Sequence, residues 1–408
     1  MTRTERQKLG IRRWIENKGQ GVLCYSTGVG KTNTACMAIE AFIKKNPNFS
    51  VLIAVPTEVL KEQWIEQLVS RKLFHNCSVE IFNSVVKKDY NVDLFVIDEI
   101  HMSASPGHIQ MYEIVHYKYI MGLTATWERL DNGHLRLERY LSPIDYITLE
   151  DALSNGWVSP LRNYKVLVEA DNIDEYHDIN AKFQQIFAVF GHDFKLAMYL
   201  VQNKNAVKIW AKKHGYSENL VKGYLATFMR LLRKRKAFVM SHPKKFLLAD
   251  KILKARSDKK CITFSATIKA AEHFKTKGAV LHSKKKKAEN HAIIKSFNEQ
   301  TCGVLSTSKS ADAGVDIKGL SVGVILSGDS STIRLTQRIG RTVRAEEGKI
   351  AEVFTLVMKD TIENTWFNNA AKGQSFITID EKQLNDILEN KEVSIRPKKG
   401  IVDLDHRF

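Results

Sequence analysis

An apolar run, Gly21–Tyr25, passes directly into Ser26-Thr27-Gly28-Val29-Gly30-Lys31-Thr32. Beyond it, Ala35, Ala38, Ile39 and Phe42 recur at helical spacing. A strand, a glycine turn and an amphipathic helix in that order constrain the chain strongly, because the turn has to curl between two elements that both bury a face. Such a turn lets backbone N–H groups and the helix N-terminus converge on phosphate oxygens. Thr27, Gly28, Val29, Gly30, Lys31 and Thr32 are therefore the expected nucleotide cradle, with Lys31 reaching the outer phosphates and the Thr32 hydroxyl ligating Mg²⁺. Tyr25 departs from the full pattern, which carries Gly or Ala there.

The rhythm of apolar runs extends this α/β reading to the whole chain. Gly21–Tyr25, Val51–Val55, Leu94–Ile97 and Ile120–Leu123 alternate mostly with helix-like stretches. A second series runs through Cys261–Phe264, Ala279–His282, Gly303–Ser306, Gly323–Leu326 and Val353–Val357. Parallel sheets are expected twice, which suits 408 residues. The expected divisions are residues 1–165, a helical insertion at 166–255, residues 256–372 and a tail at 373–408. Val207–His214, Gly215-Tyr216-Ser217 and Glu218–Arg230 read as helix, turn and helix, either a groove-reading pair or a plain hairpin packed on the core.

The formal charge is +17, and most of the surplus is local: between Lys195 and Lys260 stand 18 Lys and Arg against 3 Asp and Glu. That bias suits a polyanionic partner without naming one. Arg233-Lys234-Arg235-Lys236 is its densest run, and Lys284-Lys285-Lys286-Lys287 is either a further contact or a solvated loop. Trp157 and Tyr224 are either base-stacking rings or core aromatics. Five cysteines without a CxxC pair argue against a disulfide framework or a structural metal site. No apolar run approaches the roughly 20 residues of a membrane helix, and no secretory pattern follows the basic start. A cytoplasmic location without membrane association is the expectation.

Three further segments carry chemistry. Leu94–Ile97 delivers Asp98-Glu99-Ile100-His101, where Asp98 suits Mg²⁺ and Glu99 suits orienting an attacking water. The next strand ends in Thr124-Ala125-Thr126, whose hydroxyls are placed to link nucleotide state to movement. Gln337-Arg338-Ile339-Gly340-Arg341-Thr342-Val343-Arg344 spaces its arginines by three, which suits guanidinium groups stabilising charge on a γ-phosphoryl group.

In order and in detail these strings resemble superfamily 2 helicases. Gln7 with Trp14 is similar to the adenine-side Gln region, Ser26–Thr32 to motif I, Val55-Pro56-Thr57 with Gln63-Trp64 to motif Ia, Asp98–His101 to a DExH motif II and Thr124–Thr126 to motif III. Ile262–Ser265 resembles motif IV, Ser306–Ile317 motif V with Gly314 and Asp316, and Gln337–Arg344 motif VI. Ala313 departs from motif V, where an acidic residue or Ser is common. Gly122–Arg129, Leu149–Pro160 and Ile317–Leu326 look most like phage UvsW-type and XPB-like helicases. The resemblance implies two RecA-like domains that hydrolyse ATP with Mg²⁺ between them. It implies catalytic roles for Lys31, Asp98, Glu99, Gln337, Arg341 and Arg344, and a meeting of His101 with Gln337 across the cleft. Nucleotide contacts would include Gln7, Gly314 and Asp316. Nucleic acid would lie on Pro56, Thr57, Ser306, Thr307 and the Arg233–Lys236 run.

DNA, branched or single-stranded, is the expected partner of a monomeric motor, with RNA as the alternative. A motor subunit of a restriction system, or an ATP-switched binding protein that does not unwind, remain the other readings.

Overall fold

In the computed structural model, β1 (Gln20–Tyr25), β2 (Val51–Val55), β3 (Cys77–Ile81), β4 (Tyr90–Asp98), β5 (Val115–Thr124) and β6 (Pro143–Ile147) form one sheet in the order β3-β2-β4-β5-β1-β6. A second sheet contains β7 (Leu161–Val168), β8 (Lys260–Ser265), β9 (Ala279–Leu281), β10 (Gly303–Ser308), β11 (Leu320–Ile325), β12 (Ala351–Met358) and β13 (Ile377–Ile379), ordered β13-β7-β12-β11-β8-β10-β9. The pairings within both sheets are parallel. The structure describes residues 1–128, 132–308, 317–327, 331, 335, 338–340, 342, 349–371 and 374–391.

Parallel strands covered on both faces read as continuous apolar runs, and β2, Val-Leu-Ile-Ala-Val, is buried at every position. Successive residues of β1 serve opposite faces: Leu23 and Tyr25 join one apolar cluster, Val22 and Cys24 another. The first of these clusters continues into the second sheet through Ile262, Phe264 and Val353.

Between β7 and β8 the chain forms helices. The helices Ile173–Val189, Phe194–Gln202, Lys204–Lys213 and Glu218–Ser241 enclose their own core, including Phe183, Phe190, Val207, Val221, Leu225 and Phe228. Val207 and Ala211 on one helix close against Val221 and Leu225 on the next, so the helix-turn-helix string is a packed hairpin. The boundary drawn at residue 165 falls inside β7, which pairs with β12 and β13 of the second sheet. The helix Pro243–Ala255, assigned by sequence to the insertion, packs on that same sheet. It is tied there by Lys245, whose Nζ donates to Glu363 Oε1 and Oε2 at 2.7 and 2.6 Å. Nor is residue 373 the end of the second sheet, because β13 and the helix Glu381–Leu388 both pack on β7. Sequence periodicity missed these because β7 and β13 pair with strands far along the chain.

The first helix, Arg3–Glu16, is fastened to the first sheet through Asp145 on β6. Arg6 Nη1 donates to Asp145 Oδ2 at 2.6 Å, Tyr25 Oη donates to the same oxygen at 2.6 Å, and Arg13 donates to Oδ1. Tyr25 is thus turned away from the phosphate turn into a buried charge cluster, which explains how a large residue stands where Gly or Ala is usual. Burial alone would raise the Asp145 carboxyl, but hydrogen bonds from Arg6, Tyr25 and Arg13 and the Arg6 charge outweigh it and hold it below its ordinary value.

Asp145→Asn is expected to lower stability at pH 7 by about 3 kcal/mol, because it leaves the mostly buried Arg6 guanidinium without its counter-charge. A depressed carboxyl contributes its stability above the unfolded-state value and loses it as pH falls through the folded-state value. Thermal melts should therefore show the full deficit against wild type above about pH 5 and a shrinking deficit as pH falls through the depressed folded-state value. An undiminished deficit in acid would assign the effect to packing.

Candidate active site

Because β4, β5 and β1 are adjacent and parallel, their C-terminal ends share one edge of the sheet. In register, Asp98 lies opposite Leu123, and Cys24 opposite Thr124. The phosphate turn follows β1, the acidic pair ends β4, and the Thr-Ala-Thr string ends β5. Ligand sites of open parallel sheets form at this edge.

Within the turn, Gly28 and Gly30 take φ of 89° and 96°, a region that favours glycine. Gly30 precedes the helix Lys31–Lys45 and has no side chain to cap it, leaving first-turn N–H groups directed at whatever anion lies beyond. Val29 buries its side chain completely and so offers only backbone. Gln7 braces the turn from behind: its Nε2 donates to Val29 O at 2.6 Å and Gly30 O at 3.3 Å, and its Oε1 accepts from Asn33 Nδ2 at 2.8 Å. Asn33 in turn accepts from Arg71. The amide of Gln7 is thus spent on the phosphate turn itself. Lys31 Nζ donates to Tyr25 O at 3.5 Å and stands 3.8 Å from Glu99 Oε1.

Asp98 is almost wholly buried; its Oδ2 accepts from Trp64 Nε1 at 2.8 Å and its Oδ1 from Glu99 N at 2.9 Å. Burial, reinforced by the Glu99 charge and opposed by Lys31 and Trp64, pushes its carboxyl up to about 6. Glu99 occupies the left-handed region at φ 48°, uncommon for a residue with a Cβ. Its Oε2 is buried with no hydrogen-bond partner and lies 3.4 Å from His101 Nδ1. His101 Nδ1 is also 2.9 Å from Thr124 Oγ1, which donates to Thr126 O at 2.8 Å. Motifs II and III are therefore one hydrogen-bonded chain.

From the second sheet, the segment containing Gly340 reaches the phosphate turn: a Cβ at Gly340 would overlap the side chain of Thr27. His291 Nε2 lies 3.3 Å from Glu62 Oε2, a second contact between the halves. Of the three spaced arginines, Arg338 faces inward, donating to Ser327 O at 2.9 Å and lying over the Phe264 ring. Gln337, Arg341 and Arg344, with Gly314 and Asp316, lie outside the described residues. The expected His101–Gln337 meeting does too.

The expected nucleic-acid contacts divide. Pro56 and Thr57 are half-buried, and Thr57 caps the helix Glu58–Ser70 by accepting from Leu60 N. Ser306 and Thr307 are fully buried; the Ser306 hydroxyl accepts from Thr263 and donates to Ala271 O, so their side chains are not surface contacts. Arg233, Lys234 and Lys236 are exposed, but Arg235 is buried over the Phe183 ring at 4.1 Å. A contiguous basic string on a helix cannot keep all its members on one face. Burial also withdraws Lys245, Arg256 and Lys260 from the basic segment's solvent surface. Lys284 and Lys286 face solvent, while Lys285 pairs with Glu289. Trp157 is a core residue whose Nε1 donates to Met1 O, and Tyr224 packs against the helical core.

Sequence reasoning quoted Trp64 within a motif without finding its partner, and missed Asn33, Arg71 and Asp145. Only the fold brings these residues to the site.

Gly340→Ala is expected to cut steady-state ATP turnover by about tenfold with Tm within a few degrees of wild type, because a methyl group would force the segment off Thr27. Unchanged turnover would show that this close approach is not needed for hydrolysis.

Two family models match the chain, "Helicase conserved C-terminal domain" over residues 244–346 and "Type III restriction enzyme, res subunit" over residues 1–92. The DNA 3'-5' translocase XPB2 of Sulfurisphaera tokodaii is 24% identical, with 88% of this chain and 82% of that protein aligned. Among solved structures, S. cerevisiae Dbp5 bound to RNA and ADP BeF3 superposes with a TM-score of 0.60 at 14% identity, over 94% of this chain and 92% of that one. The Pyrococcus furiosus Hef helicase domain gives 0.51 at 17% identity, over 89% and 97%. The two structures share the fold of paired RecA-like sheets. A restriction-enzyme res-subunit model on the first half, a helicase C-terminal model on the second and a translocase relative aligned along most of its length together indicate an ATP-hydrolysing superfamily 2 helicase.

Proposed function

We propose that this helicase is a DNA motor acting as a monomer on branched or single-stranded DNA, with branch migration of forks and junctions as its form of work. The observation that carries the reading is the helical unit 173–241, whose exposed Lys195, Lys208, Lys212, Lys213, Arg233 and Lys234 extend a cationic surface beyond the two sheets. Such a surface binds phosphates without regard to sequence. The 3'-5' direction in the name of the archaeal relative is the direction proposed here. The similarity to UvsW-type and XPB-like motifs supports DNA over RNA. Contact between Gly340 and Thr27 within one chain supports a monomer, since both sides of the cleft are then present.

In this reading, the N–H groups of residues 28–32 and Lys31 bind the phosphates, while Gln7 holds the turn in shape. Oxygen donors suit a hard cation, and the buried Asp98 carboxylate together with the Thr32 hydroxyl would hold Mg²⁺. That ion supplies charge neutralisation between phosphates when bound. The unpartnered Oε2 of Glu99 is available to orient the attacking water and take its proton. Arg341 and Arg344 would stabilise charge on the transferred phosphoryl group. Gly314 and Asp316 would complete the nucleotide contacts, and the chain His101–Thr124–Thr126 would relay the change at Glu99 along the sheet edge.

Steady-state ATP hydrolysis tests the reading with no nucleic acid, single-stranded DNA, duplex, a four-way junction and structured RNA in turn. Strongest stimulation by the junction is expected, whereas stimulation by RNA alone would move the substrate to RNA. Lys31→Ala should abolish turnover, and retained hydrolysis would refute the phosphate-site assignment. Replacing Arg233, Lys234 and Lys236 together by Gln should weaken DNA binding and reduce the slope of log K against log salt by up to about 3. An unaltered slope would assign the helical unit another task.

A further inference from the structure

The helix Glu58–Ser70 is attached at several places to groups that the ATP site depends on. From its middle, the buried Trp64 donates its indole N–H to Asp98 Oδ2 at 2.8 Å. At its C-terminal end, Arg71 donates to Asn33, which donates to Gln7, which donates to the carbonyls of Val29 and Gly30. At its N-terminal end stand Pro56 and the capping Thr57, the strand-end residues proposed to meet nucleic acid. On its outer side, Glu62 faces His291 of the second half at 3.3 Å.

Each carboxylate oxygen of Asp98 accepts one of these hydrogen bonds, Oδ2 from Trp64 and Oδ1 from the Glu99 backbone. Two donors at fixed positions set the carboxylate plane and leave its other lone pairs for a cation. The Glu99 donor belongs to the same strand end and moves with Asp98. The Trp64 donor comes from a separate element and changes position if that element tilts. A buried hydrogen bond to a charged acceptor is stronger than one between neutral groups, and it has no competing water to replace it.

We infer that Trp64 is a positioning residue for hydrolysis: its indole N–H orients Asp98, and its helix conveys nucleic-acid engagement at Pro56–Thr57 to that carboxylate. This rests on the assignment of the ATP site above. The helix is short and stiff, so displacement at one end is carried to Trp64 rather than absorbed. Nucleic acid seated on the N-terminal end selects the helix position in which Asp98 is correctly turned.

The test is steady-state ATP turnover of Trp64→Phe, with and without the polynucleotide that stimulates the wild type best, alongside Lys31→Ala. Trp64→Phe should lose about tenfold in the stimulated kcat, keep KM for ATP within about twofold, and lose less in the unstimulated rate. The Mg²⁺ concentration giving half-maximal rate should rise. Benzothienylalanine at position 64 replaces only the N–H by sulfur at constant shape, so it should reproduce the loss even if Trp64→Phe proves unstable. Wild-type kinetics in the benzothienyl protein, or equal losses with and without polynucleotide, overturn the inference. Retained turnover in Lys31→Ala would instead overturn the site assignment on which it stands.

Discussion

The parallel register of β4, β5 and β1 is the constraint on which the site depends. Three strands that run the same way and end together bring a phosphate turn, an acidic pair and a hydroxyl pair to one edge, although up to about 100 residues separate them in sequence. Parallel pairing needs a crossover between consecutive strands, and these helices cover both faces of the sheet. The same geometry buries the C-terminal halves of these strands and sets the segments that follow them along one edge.

Polar groups around that edge are mostly committed to one another. Asp145 takes two guanidinium groups and the Tyr25 hydroxyl, and so fixes the first helix; that helix presents Gln7, which holds the turn. Asp98 takes the Trp64 indole, and His101 meets Thr124. Against this background Glu99 stands apart: its Oε2 is buried without a hydrogen-bond partner, on a backbone in the left-handed region. Strain and an unsatisfied acceptor at one residue are retained where surrounding structure over-determines its position.

The helical unit follows a different rule. Its aromatic core, with Phe183 and Phe190 both against Phe228, is its own, so the outer faces of its helices are free to be basic. Its placement after β7 makes it an insertion within the second sheet's half of the chain. Movement of that half would carry the cationic surface with it.

The sequence by itself determined the local elements with chemistry in them. The order of apolar runs specified two parallel α/β halves, because burial on both faces leaves a continuous apolar signal. The Gly28–Thr32 turn and Asp98-Glu99 were legible because their chemistry demands particular residues at contiguous positions. Only the tertiary structure decided what depends on distant pairing: that residues 161–168 belong with the second sheet, that Trp64 meets Asp98, and that Tyr25 is drawn down to Asp145. It also decided which cations of the basic run face solvent, turning Arg235 inward while its neighbours stay exposed. Periodicity reports that a residue is buried or exposed along its own element. The partner it meets is set by how elements far apart in the chain come to lie side by side.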